Sequence, residues 1–160
     1  MGILTYTDEY TSPIPPARLF KALVLDAHIL IPKIMPQAIK SFEVVQGDGK
    51  AGSIKLMTFP EGSHLKSIKT RIDELDEEKF IYNYTLIEGS ELLEKLEYIS
   101  YEVKFEPTPE GGSKNKMVSK YCTKGDFELK EEEIKASKEK ALAMYKVAEG
   151  YLIQNPDDYA

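Results

Sequence analysis

The sequence predicts an α+β fold: seven antiparallel strands in a curved sheet wrapped around one long C-terminal helix, with two short helices after the first strand. Three observations carry that prediction. Residues 39–123 alternate with period 2 and are broken at intervals by turn-forming residues, as strands joined in sequence require. Residues 131–152 contain no proline and keep a helical period. Between the first strand and the sheet, prolines at 13, 15, 16, 32 and 36 punctuate a short apolar stretch as two brief helices. At 160 residues and 42% hydrophobic, the chain fits a single domain, residues 1–160.

Taken in order, residues 3–11 are rich in Thr and Tyr and read as a strand ended by Ser12-Pro13-Ile14-Pro15-Pro16. Helices are expected over 17–25 and 27–34, closed by Pro36. The remaining strands are expected at 39–45, 53–59, 65–72, 80–87, 95–105 and 114–123. Turns between them fall at 47–52, 60–63, 73–78, 88–90 and 107–113. In the last helix, Ile134, Ser137, Ala141, Met144, Tyr145, Val147, Ala148, Tyr151 and Leu152 share an arc of about 160° at 100° per residue. Glu131, Glu132 and Glu133 sit at its positive end, as the helix dipole prefers. A helix with one such apolar face must bury it against the sheet.

Composition excludes several function classes. Twenty-one basic against 27 acidic residues give a net charge of -6, which disfavours polyanions, so no specific nucleic acid and no anionic membrane is expected as partner. One cysteine, Cys122, and two histidines, His28 and His64, cannot assemble a Cys/His zinc site, and no metal or other cofactor is signalled. Residues 1–10 lack a basic region followed by an apolar run, and the apolar stretch 19–39 is interrupted by Lys21, Asp26, His28, Pro32, Lys33 and Pro36. Those features predict a soluble, cytoplasmic protein without a spanning helix.

One sheet face is unusual. Ile99, Tyr101, Val103 and Phe105 share a parity that includes Glu97; Lys55 shares one with Met57 and Phe59; Tyr82, Tyr84 and Leu86 share another. Tyrosines, methionines and a lysine on inward positions fit either a lined cavity or an ordinary core with satisfied hydroxyls. The run Gly47-Asp48-Gly49-Lys50-Ala51-Gly52 matches the letters of a dinucleotide fingerprint, yet a β-rich segment follows where a helix must open. A loop turning one strand into the next is therefore expected, with Gly47, Gly49 and Gly52 supplying its backbone freedom. Glu97 and Glu149, with Tyr151 beside the second, are candidate acid/base groups for a reaction such as phosphodiester cleavage. Helical geometry sets Glu149 about 40° outside the apolar arc and Tyr151 inside it. His64 lies in a polar turn and His28 in a helix, and neither has a partner that would make a triad.

Many ordered stretches carry a resemblance. They include Ile14-Pro15-Pro16-Ala17-Arg18-Leu19-Phe20-Lys21-Ala22, Gly47-Asp48-Gly49, Tyr84-Thr85-Leu86-Ile87-Glu88-Gly89, Thr123-Lys124-Gly125-Asp126, Lys135-Ala136-Ser137-Lys138-Glu139-Lys140 and Glu149-Gly150-Tyr151-Leu152. From end to end the chain resembles the plant pathogenesis-related class 10 proteins, the family of the major birch pollen allergen. The resemblance implies a START-like helix-grip enclosing a large hydrophobic cavity, which binds amphipathic or hydrophobic plant metabolites such as flavonoids, cytokinins, fatty acids and brassinosteroid-like molecules. Carried over by position, the lining falls on Leu23, Ile31 and Ala38 in the helical region and on Lys55, Met57 and Phe59 in one strand. Tyr82, Tyr84, Ile99 and Tyr101 in two others, and Met144 and Val147 in the last helix, complete it. Departures are Gln46, Lys50 and Cys122, where relatives commonly have glutamate, glycine and histidine.

Three functions follow from the resemblance. The first is an intracellular, defence-related binding protein, monomeric or weakly dimeric, allergenic as a by-product. The second is a ribonuclease using Glu97, Glu149 and Tyr151, and the third a lyase or isomerase of secondary metabolism using a cavity lysine.

Overall fold

The computed structural model describes residues 2–62, 66–89, 94, 96–125 and 130–159, leaving aside the side chains at 133, 136, 137 and 140. His64, and parts of the expected turns at 60–63 and 88–90, lie outside the described residues.

Strand β1 (Ile3–Ser12) leads into α1 (Pro16–Phe20), a π-wound turn (Lys21–Leu25) and α2 (Ala27–Ile34). A meander follows: β2 (Ser41–Gln46), β3 (Ile54–Thr58), β4 (Ser67–Asp76), β5 (Ile81–Glu88), β6 (Leu96–Pro107) and β7 (Ser113–Thr123). Helix α3 (Glu131–Gln154) ends the fold. The strands form one seven-stranded sheet in the order β1-β7-β6-β5-β4-β3-β2, antiparallel throughout.

Two local departures from the expected elements have physical causes. The helix expected over 17–25 changes winding, so that the Asp26 N–H donates to the Lys21 carbonyl at 2.9 Å. The extra residue per turn lets Leu19, Phe20, Ala22 and Val24 all bury. The turn expected over 73–78 is shorter than its composition suggests. A bulge between Ile72 and Glu74 absorbs the parity change and β4 runs on to Asp76. There the Asp76 carboxylate accepts the Glu78 and Lys79 N–H groups, each at 3.0 Å.

The core lies between α3 and the inner face of the sheet, in three buried clusters. Ile14, Leu19, Phe20, Leu30, Ile72, Phe105, Tyr145 and Leu152 fill the end below the short helices. Leu86, Leu96, Ile99, Tyr121 and Ile134 fill the other end. Ala27, Ile31 and Ile39, with Leu23, Phe42, Met57, Phe59 and Met144 around them, join α2 to β2, β3 and α3. Burial of these apolar surfaces is worth about 25 cal/mol per Å².

Candidate functional site

Between the clusters the inner face is not closed. Alternation along β4 to β7 brings Ile68, Thr70, Tyr84, Leu86, Tyr101, Met117, Ser119 and Tyr121 around an interior cavity of about 140 Å³, completed by Asp8 and Tyr10 of β1 and Lys138 and Ala141 of α3. Tyr84 and Tyr101 are cross-strand partners with rings stacked at 4.9 Å. Burial pushes the phenols of Tyr84 and Tyr101 well above the usual tyrosine value, and that of Tyr121 upward, so all three stay protonated hydroxyls. Lys138 covers this space from outside, its ammonium 3.3 Å from Asp8 and over the Tyr6 ring.

A second space, about 420 Å³, opens between the helices and the 47–52 loop. Val24, Leu25, His28, Val44, Leu75, Glu77 and Tyr82 line it with Gly47, Asp48, Gly49, Lys50 and Lys55. Its volume falls within the range of small-molecule sites, roughly 300–1,000 Å³. Tyr82, on this side, meets Tyr84 of the interior edge to face at 5.0 Å, so these two rings form the wall between the spaces. The large single cavity implied by the resemblance is thus divided.

Lys55 is the odd member of the cleft. It is 4% exposed, with its ammonium 5.4 Å from the Phe42 ring centre and 5.2 Å from that of Tyr82. Burial pulls it down to about 8. Its neighbour loop is held rigidly. Asp48 accepts the Lys50 N–H at 3.0 Å, Ser53 accepts the Gly49 N–H at 2.8 Å, and the Gly52 N–H donates to the Ile72 carbonyl at 2.7 Å. Gly47 holds φ at +92°, and a Cβ there would stand 2.9 Å from Ser53 Cα. These N–H groups are occupied and β3 follows directly, so the loop is a turn and not a phosphate cradle.

The twelve positions read from the resemblance separate into groups. Tyr84 and Tyr101 line the interior, and Lys55 and Tyr82 the cleft. Leu23, Ile31, Met57, Phe59 and Met144 pack in the cluster beside α2, and Ile99 is buried in the far cluster. Ala38 and Val147 are exposed, contrary to the expectation that they face inward. Ala38 sits in the turn after α2, which turns Ile39 into the core instead. On α3 the fully buried Ile134, Tyr145, Ala148 and Leu152 span only about 60°, and Val147 lies roughly 130° from their centre. Helix α3 is therefore rotated toward Glu149 relative to the arc read from the sequence.

The three acid/base candidates are not brought together. Glu97 was expected on the inward parity of β6, but a bulge between Leu96 and Tyr98 breaks that parity. Glu97 is exposed, on the outer face with Arg71, Asp73, Thr85 and Ser100, 3.8 Å from the Cys122 thiol. Glu149 lies beside Tyr145, which stacks on Tyr10 at the Asn115 and Phe105 end of the sheet. Phe105 lies eight residues along β6 from Glu97, about 25 Å of strand, so the two acids are placed toward opposite ends of that strand. The Tyr151 hydroxyl donates to Asp158 and accepts from Lys33 at 3.0 Å. It ties down the chain end together with Arg18, whose guanidinium donates to the carbonyls of Leu152, Asn155 and Asp158 at 2.7, 2.8 and 2.9 Å.

Sequence reasoning missed Asp8, Tyr10, Ser119 and Tyr121 of the interior and His28 of the cleft. For β7 a signal existed: Lys114, Lys116 and Lys120 share one parity, which leaves Met117, Ser119 and Tyr121 for the inner face.

Among known proteins, the model of the Pathogenesis-related protein Bet v 1 family matches residues 1–155. The major strawberry allergen Fra a 1-2 of Fragaria ananassa is 55% identical over 159 residues, covering 99% of each chain. The major allergen Pru av 1 of Prunus avium is also 55% identical over 159 residues, again covering 99% of each. In three dimensions the crystal structure of Ara h 8.0201 matches with a TM-score of 0.86 at 40% identity, covering 96% of this chain and 99% of that one. Norcoclaurine synthase from Thalictrum flavum shares the fold, with a TM-score of 0.77 at 22% identity over 95% of this chain and 87% of that one.

Proposed function

Because the chain belongs to the Bet v 1 family of pathogenesis-related proteins, we propose that it is a binding protein for amphipathic or hydrophobic small molecules. The cleft takes a ligand of one or two rings, and the interior, on the other side of the tyrosine wall, takes a single ring on its own. The observation that carries this reading is the cleft's wall: a buried cation between two aromatic faces, backed by a space lined with neutral tyrosine hydroxyls. Such a surface orients a molecule with one polar end and an apolar body. An interior of about 140 Å³ is close to the roughly 150 Å³ that holds one benzene ring.

The proposal extends to a cytoplasmic, monomeric or weakly dimeric state in plant defence, which fits the single buried free thiol, Cys122. Among the described residues no helix is long and apolar enough to cross a membrane. Allergenicity, named for the relatives above, comes to this chain only as part of the proposal. Neither a ribonuclease nor a lyase gains support from the arrangement, since the acids of the first stand on different faces and the second rests on a likeness of fold.

Calorimetry over flat flavonoids and apolar probes tests the reading, with dissociation constants expected in the micromolar range, about -8 kcal/mol. If every ligand binds more weakly than about 1 mM, the reading fails. Tyr84→Phe should weaken ligands that hydrogen-bond in the interior by about 0.5–1.5 kcal/mol and leave apolar ones unchanged.

A further inference from the structure

Two side chains of the cleft carry chemistry beyond what orienting a ligand requires. Lys55 is buried, and among the described residues no carboxylate forms a salt bridge with it. His28, on the first turn of α2, lines the same cleft. Its Nδ1 is buried without a hydrogen-bond partner among the described residues. An unpaired buried amine and an unpaired buried imidazole nitrogen are costly to keep beside one accessible space. The other charged groups of that wall do not relieve them. Asp48 is committed to the Lys50 N–H and the Ser53 hydroxyl, and Lys50 and Glu77 stand exposed at the rim.

We propose that the cleft captures small aromatic aldehydes as a reversible imine on Lys55, with His28 moving the protons. The inference rests on reading the cleft as a small-molecule site and adds a covalent step to it. The Nζ lone pair forms the C–N bond while the carbonyl π electrons move to oxygen. The proton that the nitrogen then sheds passes through the His28 imidazole to the oxygen, giving a neutral carbinolamine and a neutral imidazole. A proton from solvent, delivered through His28, lets the hydroxyl depart as water as the nitrogen lone pair closes the C=N bond, and the iminium N–H proton returns to solvent by the same route. Amine plus aldehyde becomes imine plus water, His28 ends unchanged, and no oxidant or reductant is needed.

The geometry selects the class of carbonyl compound. The Phe42 and Tyr82 rings flank Nζ at 5.4 and 5.2 Å, so a flat aromatic body stacks where its carbonyl meets the amine. A cleft of about 420 Å³ admits one or two rings. With burial holding Lys55 at about 8, about a quarter of it carries a free lone pair near pH 7.5, against about a thousandth of an ordinary lysine.

The test is to incubate the full chain with benzaldehyde and cyanoborohydride near neutral pH and map the reduced adducts by peptide mass spectrometry. Lys55 should be modified at least about tenfold faster than any other lysine, and the adduct should vanish in Lys55→Met. His28→Asn should slow capture about tenfold or more. Without reductant, the imine level that it reaches at equilibrium should be unchanged, because a proton carrier alters rate and not equilibrium. Adducts distributed by exposure, or a His28→Asn rate equal to the wild type, overturn the inference. Benzyl alcohol, the same shape without a carbonyl, separates it from the carrier reading. If calorimetry shows benzyl alcohol bound while Lys55 stays unmodified, only the inference falls; if neither enters, both do.

Discussion

The two spaces on the inner side of the sheet solve the burial of polar groups in opposite ways. In the interior, Tyr84, Tyr101 and Tyr121 present hydroxyls that burial keeps protonated, so no charge is desolvated. In the cleft, Lys55 brings an ammonium to a place where, among the described residues, the Phe42 and Tyr82 ring faces receive it. The walls differ as well. The interior is set by strand register from β4 to β7, the cleft by a loop whose path needs a left-handed glycine at 47. The interior is therefore the part whose buried polar groups are neutral, with the Asp8–Lys138 ion pair at its partly exposed edge, and the cleft is the part held at a cost in stability.

The largest expected effect breaks that contrast by removing the charge. Lys55 falls to about 8 in the folded chain, from 10.5 in the unfolded one. Below pH 8 both states hold the proton and the folded state bears the full penalty, about 3 kcal/mol. Between pH 8 and 10.5 the unfolded chain binds more protons, so stability rises with pH, and above 10.5 the penalty is gone. The tyrosines act in the other direction. Their raised values make the folded state lose stability as pH climbs past 10. Comparing two chains cancels that term. Denaturant titrations should find Lys55→Met more stable than the wild type by about 2–3 kcal/mol at pH 7, and the gap should close toward pH 10.5. A gap that does not change with pH would mean that the Lys55 charge is not what the cleft is burdened with.

A smaller effect sharpens the difference between a loop wall and a sheet wall. Gly47 and Gly49 both hold φ near +90°, at +92° and +90°, but an added Cβ meets Ser53 at the first and open space at the second. Gly47→Ala should cost about 2–3 kcal/mol, combining backbone strain with displacement of β3 beside Lys55, whereas Gly49→Ala should cost about 1. Melting curves of the two variants side by side decide it, and equal losses would remove the role given to the contact with Ser53.

How much of this was legible beforehand follows from the kind of signal involved. The strands and α3 were readable because period 2 and period 3.6 repeat over many residues, and a single misplaced side chain does not erase them, whereas the place of β1 beside β7 came only from the structure. Positions at irregularities were not. Glu97 took its inward parity from Ile99 and Tyr101, and the bulge at Leu96 and Tyr98 moved it to the outer face. Val147 took its place from an arc of apolar residues wider than the strip that α3 buries. His28 carried no periodic mark, since its position in the cleft depends on how α2 approaches the glycine loop. The inward lysine at 55 was visible from parity, but that no carboxylate among the described residues pairs with it appears only in three dimensions.

The last prediction concerns acids that belong to neither space. If Glu97 and Glu149 formed a catalytic pair, the functional centre would lie outside both regions compared above, and the contrast between them would lose its meaning. General acid/base groups typically contribute about 10²–10⁴-fold each, so losing one that acts this way is unmistakable. Their positions argue otherwise. Glu97 is exposed on the outer face beside Cys122, while Glu149 sits on α3 beside Tyr145, whose phenol burial and the nearby carboxylate push up to about 12. Two carboxylates on opposite sides of a sheet, one near the start of β6 and the other on α3 near the Tyr10 and Phe105 end, cannot flank one phosphodiester. Tyr151, the third candidate, has its hydroxyl engaged by Lys33 and Asp158. The Glu97→Gln/Glu149→Gln double variant, purified in parallel with the wild type and assayed on RNA against a nuclease-free blank, should therefore retain the wild-type rate within about twofold. A drop of about a hundredfold with folding intact would move the active site to the edge of the molecule and demand a conformation that brings these acids together.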